Sequence, residues 1–376
     1  MDRYLVGLSG ELARREIEIT FFHRSSQPLH PSHRNIPGVS VKGLNDLSAV
    51  FWEQCSVPMA LARGKFDLYH APAERGVPFL CPCPVVLTFH SSTRESYRHL
   101  IRRGELPGKI ETYLGAGRSA RAPFFERYYG WQHFRADHIL TPSQFSRGEL
   151  IRLNRLPPHR VTVTPLAVAQ EFHAPRKCDA GINATLRRLG IARPFVLYVG
   201  GYEAHKNIAG LLEMFSHVVA CAKQYNLVCV GSSPAGAEVM ARLQQLNLPT
   251  RSVVLLSGLT TELIDLYDAA ELFVTMSWRE SFCLPALEAM TRGKTVVASC
   301  WGAAPEVVGN AGILVDPRSP KAAAQRVLEL LCDGQKSAML AERAAVQSAR
   351  FSWTQTADAT MGVFERLLRS RRGSLK

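Results

Sequence analysis

Two glutamates with seven residues between them, Glu280 and Glu288, stand in the run RESFCLPALEAM from Arg279 to Met290. A carboxylate beside a phosphate site is a poor phosphate ligand, but it readily accepts hydrogen bonds from sugar and ribose hydroxyls. The same run supplies the phosphate site. Pro285 suits the first helical position, where its missing N–H would find no partner anyway. The unpaired N–H groups of that first turn, with the positive end of the helix dipole, attract an anion. Gly293, after Arg292, closes the helix as a left-handed cap. Taken alone, the spacing fits equally well a Glu288 that only complements the helix dipole and a Glu280 that is merely solvated.

A second loop, Gly200, Gly201, Tyr202, Glu203, Ala204, His205, Lys206, Asn207, follows an apolar run and enters a long helical pattern. Paired glycines let backbone approach a phosphate closely, and Lys206 adds a positive charge near the next helix start. No third glycine follows at the dinucleotide spacing, which excludes the nicotinamide-binding fingerprint.

Both loops must be held at strand ends. The carboxyl half alternates strands at Phe195–Val199, Leu227–Val230, Val253–Leu256, Leu272–Thr275, Thr295–Ser299 and Gly312–Val315 with helices at Ile208–Ala222, Ala237–Leu246, Glu262–Ala270 and Pro285–Thr291. This alternation predicts an α/β, Rossmann-like doubly wound domain, in which ligands sit beyond the carboxyl ends of the strands. The amino half repeats the pattern, with strands expected at Ile17–Phe22, Phe66–Tyr69, Val85–Phe89, His138–Thr141 and Val161–Thr164. The Pro-bearing stretch from Pro165 to Pro194, with an amphipathic segment at Ala184–Leu189, reads as the connection. The expected organisation is an amino-terminal domain over 1–165, a linker over 166–193, a carboxyl-terminal domain over 194–350 and a closing helix over 351–376.

The bulk properties agree with two folded domains: 376 residues, 46% hydrophobic and 20% charged. A formal charge of +13 calls for an anionic partner. Basic residues are densest around Arg94, Arg98, Arg102, Arg103, Lys109, Arg118, Arg121 and Arg127, and in the tail Arg366, Arg369, Arg371, Arg372 and Lys376. Neither stretch carries a nucleic-acid-binding signature, so no specific nucleic acid is expected. No signal peptide or membrane-spanning run stands out, which points to the cytoplasm. Nine scattered cysteines read as reduced thiols, and the close pair Cys81 and Cys83 lacks the further ligands of a zinc site.

At this point the sequence resembles the family 4 retaining glycosyltransferases. ESFCLPALE is similar to their paired-glutamate motif, and YVGGYEAHKN looks like their donor-phosphate loop. The run LYDAAELFVTMSWRESFCLPALEAMTRGKTVVAS, followed by PEVVGNAGILVDP, resembles their signature region throughout. In the amino half VVLTFHSS, ADHILTPSQFSRGELIRL and RVTVTPLAV fit as well, and FSWTQTADATMGVFERLL resembles the helix that crosses back. The resemblance implies a GT-B fold, two Rossmann-like domains facing each other across a cleft. It implies that Lys206 binds the donor diphosphate, Glu280 holds hydroxyls of the transferred sugar and Glu288 binds the ribose. Backbone N–H groups of Ser281, Phe282, Cys283 and Leu284 would contact phosphate and sugar, and Gly200 and Gly201 would line the phosphate. His90 would face the reacting sugar. No cofactor or metal is implied, since lysine, helix dipole and backbone donors offset the leaving-group charge. The resemblance further implies a nucleotide-sugar donor, GDP-mannose first and UDP-hexose next, and a glycan or lipid-linked sugar as acceptor.

Two departures stand out. The family usually has arginine where Gly201 stands; a charge-assisted hydrogen bond contributes about 1.5–3 kcal/mol, and His205 is the nearest group to compensate. RYLVGLSGELARR resembles the first helix of the family, whose preceding strand and glycine-rich loop are not seen ahead of it, and an upstream start is expected. Both features also suit an alternative, a non-catalytic protein that binds sugar nucleotides. Finally, Tyr97 to Arg135 mixes arginines with Tyr113, Phe124, Phe125, Tyr128, Tyr129 and Trp131, a composition suited to an anionic membrane surface or, equally, to core aromatics beneath a basic face.

Overall fold

A computed structural model describes the chain except residues 1, 28, 35, 91–93, 105, 107–130, 250, 375 and 376. The chain forms two compact units. One is built from the chain up to Arg103, the described residues from Trp131 through Ala167, and Ser352 onward; the other is Val168–Phe351 with the described residues Gly104 and Leu106.

The carboxyl unit holds six parallel strands: β7 (Phe195–Val199), β8 (Asn226–Gly231), β9 (Val253–Ser257), β10 (Leu272–Val274), β11 (Thr295–Ser299) and β12 (Ile313–Val315), in the spatial order β12-β11-β10-β7-β8-β9. Phe195, Val196, Leu197 and Tyr198 are all buried, as expected where helices cover both faces of a parallel sheet. The helix Ile208–Cys221 presses Leu211, Leu212, Met214, Phe215, Val218 and Val219 onto this core. From β7 the chain winds one way to β8 and β9 and then, from β10, the other way. The loops that leave β7 and β10 therefore diverge at the topological switch point, where open α/β sheets hold ligands.

The stretch expected to be the connection is partly folded into this unit, and its amphipathic segment is the end of a helix that starts earlier than expected, at Asp179. Helix Asp179–Arg188 buries Ile182 and Leu186, and Asp265 of helix Glu262–Ala269 accepts from Lys177 Nζ (2.9 Å) and Thr185 Oγ1 (2.7 Å). The carboxylate is what the sequence reading missed, because its partners lie 80 and 88 residues away.

The amino unit has parallel strands in two sheets. The first pairs β1 (Ile19–Arg24) with β2 (Val39–Leu44); the second runs β3 (Tyr69–Ala71), β4 (Val85–Thr88), β5 (His138–Thr141), β6 (Val161–Val163). β2 was not expected: its central residues 40–43 are exposed and include Lys42 and Gly43, the pattern of an edge strand. Helix Trp353–Ser374 returns to this unit, where Trp353, Met361 and Phe364 pack with Tyr4, Leu8 and Leu12 of helix Asp2–Ala13. Tyr113, Phe124, Phe125, Tyr128 and Tyr129, with Lys109, Arg118, Arg121 and Arg127, lie outside the described residues. Among the described residues no helix is long and apolar enough to cross a membrane. All nine cysteines are free thiols.

Candidate active site

Lys206 and Glu280 meet at the switch point of the carboxyl sheet. Lys206 Nζ donates to both Glu280 oxygens at 2.9 Å, and Ser277 Oγ donates to Oε1 at 2.7 Å. Two of the three ammonium N–H groups are thus committed to the carboxylate, and one is left for a further acceptor. Burial pushes the Glu280 carboxyl up, but the Lys206 charge and the hydrogen bonds from Lys206 and Ser277 outweigh it and leave it below the ordinary value. Burial likewise disfavours charge on Lys206, and Glu280 reverses that, raising the ammonium above its usual range.

Each side chain is held by its loop. Gly200 follows β7, and a Cβ there would come 2.6 Å from the Tyr198 hydroxyl, which donates to Gly201 O at 2.7 Å. Glycine is required at Gly200 because that hydroxyl must reach past it to pin the loop. Asn207 adopts a left-handed backbone (φ 53°), a conformation in which asparagine is several-fold enriched. Its Oδ1 accepts from Gly210 N (3.2 Å) to cap helix Ile208–Cys221, while its Nδ2 donates to Met276 O (2.9 Å) and Pro317 O (3.2 Å). Trp278 N donates to His205 O at 2.8 Å, so the two loops are stitched to each other. The His205 ring is driven below its usual pKa by burial and then by Lys206. An uncharged imidazole offers a hydrogen bond in place of the arginine expected at Gly201, not a charge.

The loop after β11 completes the support for Glu280. Ala303 N donates to Glu280 O at 2.9 Å, and Gly302, at φ +72°, lies so close that a Cβ would come 2.6 Å from Glu280 N. Gly302 was not singled out from the sequence, although a glycine just after a strand was a visible signal, and Asn207 was read there only as the last residue of the second loop, with no role of its own.

Ser281, Phe282 and Cys283 carry the chain from Glu280 into helix Leu284–Thr291. Phe282 is buried edge-on against Phe351 (centroids 5.6 Å apart), and Cys283 is the N-cap residue with a left-handed backbone, φ 80° and ψ 53°. In the first turn Pro285 has no N–H and Ala286 N donates to Cys283 O at 3.1 Å, so only amides ahead of Pro285 could meet an anion here. Pro285 is the second helical residue and not the first as expected, because the helix starts one residue earlier, at Leu284. Glu288 is buried within the helix, and its Oε2 accepts from the Tyr267 hydroxyl at 2.9 Å. The far end is anchored by Arg292, which pairs with both Asp268 oxygens at 2.7 Å and donates to Phe172 O and Ala174 O. Gly293 follows with φ +65°.

His90 belongs to the amino unit, two residues beyond the end of β4. Its backbone N donates to Glu74 Oε1 (2.6 Å), its Nε2 lies 3.1 Å from Pro72 O, and the Tyr4 ring meets it edge-on at 4.6 Å. Burial lowers its pKa. Behind it Thr88 Oγ1 bonds both the Tyr4 hydroxyl (2.8 Å) and His70 Nε2 (2.7 Å), and burial, with His90, pushes His70 down to about 3.

Two Rossmann-like units with a lysine–carboxylate site at the switch point of the second define the GT-B class of folds. Comparison with known proteins bears this out. The structure superposes on Anabaena Alr3699/HepE, solved in complex with UDP-glucose, with a TM-score of 0.73 over 97% of this chain and 95% of that one; at 18% identity this shows the fold. Residues 1–172 match Glycosyltransferase Family 4 and residues 187–347 match Glycosyl transferases group 1. The chain belongs to the family 4, group 1 glycosyltransferases. Among its relatives are the O-antigen chain mannosyltransferase B of Escherichia coli, 33% identical over 61% of this chain and 60% of that protein, and the serotype-specific mannosyltransferase WbdA of Escherichia coli, 29% identical over 76% of this chain and 37% of that one. The chain therefore spans less than two thirds of the length of these relatives, 60% of the first and 37% of the second.

Proposed function

We propose that this protein is a retaining, metal-independent glycosyltransferase that moves a hexose, mannose first among the candidates, from a nucleoside-diphosphate sugar to a glycan or lipid-linked acceptor. The observation that carries the reading is Lys206 Nζ at 2.9 Å from both oxygens of Glu280, beside the amino end of helix Leu284–Thr291. Lys206 and the amides ahead of Pro285 would stabilise the diphosphate as it leaves, in a site already organised before the donor arrives. Glu280, held ionised, would accept hydroxyls of the transferred sugar and orient its anomeric carbon, while Glu288 would serve the ribose. Retention would follow from attack on the face the leaving group departs, with a donor phosphate oxygen receiving the acceptor proton. Mannose is favoured by the names of the two Escherichia coli relatives.

The test is a donor panel of GDP and UDP sugars with Glu280→Gln as control. Acceptor-dependent release of GDP from GDP-mannose, an axial linkage by NMR and insensitivity to a chelator are expected. Tight binding of the nucleoside diphosphates without transfer or hydrolysis of any donor would support the non-catalytic alternative instead.

A further inference from the structure

Cys81 and Cys83 take no part in the site at the carboxyl sheet. They stand on the segment that leads into β4, with Pro82 between them, and their sulfurs face each other at 3.8 Å. Cys83 is buried in a cluster with Leu44, Val57 and Leu61, while Cys81 packs against that cluster only half-buried. Pro82 fixes its own φ, so the backbone joining the two thiols has little freedom to carry them apart.

Both cysteines line an open recess of about 390 Å³, whose other walls are Pro84, Asp137, Leu367, Ser370 and Arg371. A small molecule can therefore reach the pair from solvent. Arg371, on the returning helix, donates to Pro82 O, the carbonyl between the two thiols, and its positive charge favours a thiolate. Asp137 opposes that charge, and one of its oxygens accepts from Val85 N at 2.7 Å. The hydrogen bond that Cys83 donates outweighs burial and holds the Cys81 thiol below its ordinary range; the same bond, with burial, keeps Cys83 protonated above its own. The two sulfurs are thus unequal: Cys81 is the reachable nucleophile, and Cys83 is a buried partner that keeps its proton.

We propose that Cys81 and Cys83 form a thiol–disulfide exchange site that reacts with small disulfides of the glutathione class. The Cys81 thiolate attacks one sulfur of the disulfide, whose S–S bond breaks; one thiolate leaves, takes up the proton that Cys81 gave to solvent, and a mixed disulfide remains on Cys81. Cys83 then loses its proton and attacks the Cys81 sulfur, which releases the second small thiol and closes an internal disulfide. The sulfurs travel from 3.8 Å to about 2.05 Å. In sum the protein dithiol loses two electrons and two protons, and the small disulfide gains both. The pair lies ahead of β4 and His90 beyond its far end, so exchange is independent of the proposed sugar transfer.

The experiment equilibrates the full chain with mixtures of reduced and oxidised glutathione, quenches with acid, alkylates, digests with trypsin and measures the mass of the peptide from Gly76 to Arg94, whose only cysteines are Cys81 and Cys83. As oxidised glutathione is raised, the parent peptide is expected to pass from doubly alkylated to internally bonded, two hydrogens lighter than the dithiol and free of glutathione. Cys83→Ala should stop with glutathione on Cys81, and Cys81→Ala should leave Cys83 without glutathione. Circular dichroism melts identify a variant that has lost its fold, and the parent result stands without either variant. A parent peptide that stays doubly alkylated in excess oxidised glutathione overturns the proposal, as does one that gathers glutathione without closing. So does a folded Cys83→Ala protein that takes up none on Cys81. Exchange with no donor turnover would uphold the site while the proposed activity failed.

Discussion

Replacing Glu280 by glutamine should tighten nucleoside diphosphate binding while abolishing sugar transfer. Glu280 sits against two of the three N–H groups of Lys206, and its charge faces whatever anion the third one binds. A phosphate oxygen taken up on the free side of the ammonium lies roughly 5 Å from the carboxylate, and at an effective dielectric near 20 two unit charges at that distance repel by about 3 kcal/mol. Screening reduces this, so a net gain of about 1.4–3 kcal/mol is expected, a ten- to hundredfold lower Kd for GDP or UDP. Calorimetry on the parent, Glu280→Gln and Lys206→Met measures it, and Lys206→Met should bind more weakly than either. The same pair has a pH signature. Glu280 is depressed, so its stabilisation is present above the ordinary carboxylate pKa near 4 and is lost as pH falls through the folded value. Lys206 is raised, so its share is complete below the ordinary lysine pKa near 10 and is lost as pH climbs through the folded value. The Tm gap between parent and Glu280→Gln should therefore be widest between about pH 5 and 9 and close in acid. Equal or weaker nucleotide binding by a folded Glu280→Gln protein would refute the reasoning.

Gly302→Ala places a Cβ 2.6 Å from Glu280 N at φ +72°, so it should cost about 1–3 kcal/mol in stability, read by denaturant melts, and lower kcat by displacing Glu280. Asn207→Ala removes a helix cap and two bonds to buried carbonyls, and a loss of about 2–4 kcal/mol is expected. Asn207→Gly should recover part of that loss, because glycine tolerates the left-handed backbone.

How much of this was legible in the sequence differs between the two halves. In the carboxyl half the strands Phe195–Val199 and Thr295–Ser299 fall where their apolar runs predicted, because strands buried on both faces need no distant partner to declare themselves. Lys206, Glu280 and Glu288 were visible as charges at strand and helix ends. In the amino half β2 was missed, since its apolar alternation stops after Val41, where Lys42 and Gly43 follow, and residues 40–43 are exposed.

The sequence by itself determined the family, the parallel α/β class and the two loops that carry the chemistry, because residue type and spacing along the chain encode local geometry. Only the tertiary structure decided that Lys206 and Glu280 form one ion pair across 74 residues, that Gly302 and Ala303 brace the Glu280 backbone, and that Glu288 shares a buried hydrogen bond with Tyr267. It alone decided, too, that Phe79 and Arg135 stack into one surface. These are contacts between segments distant in the chain, set by strand order and by which loops leave the sheet at its switch point. No local pattern of residues encodes that order.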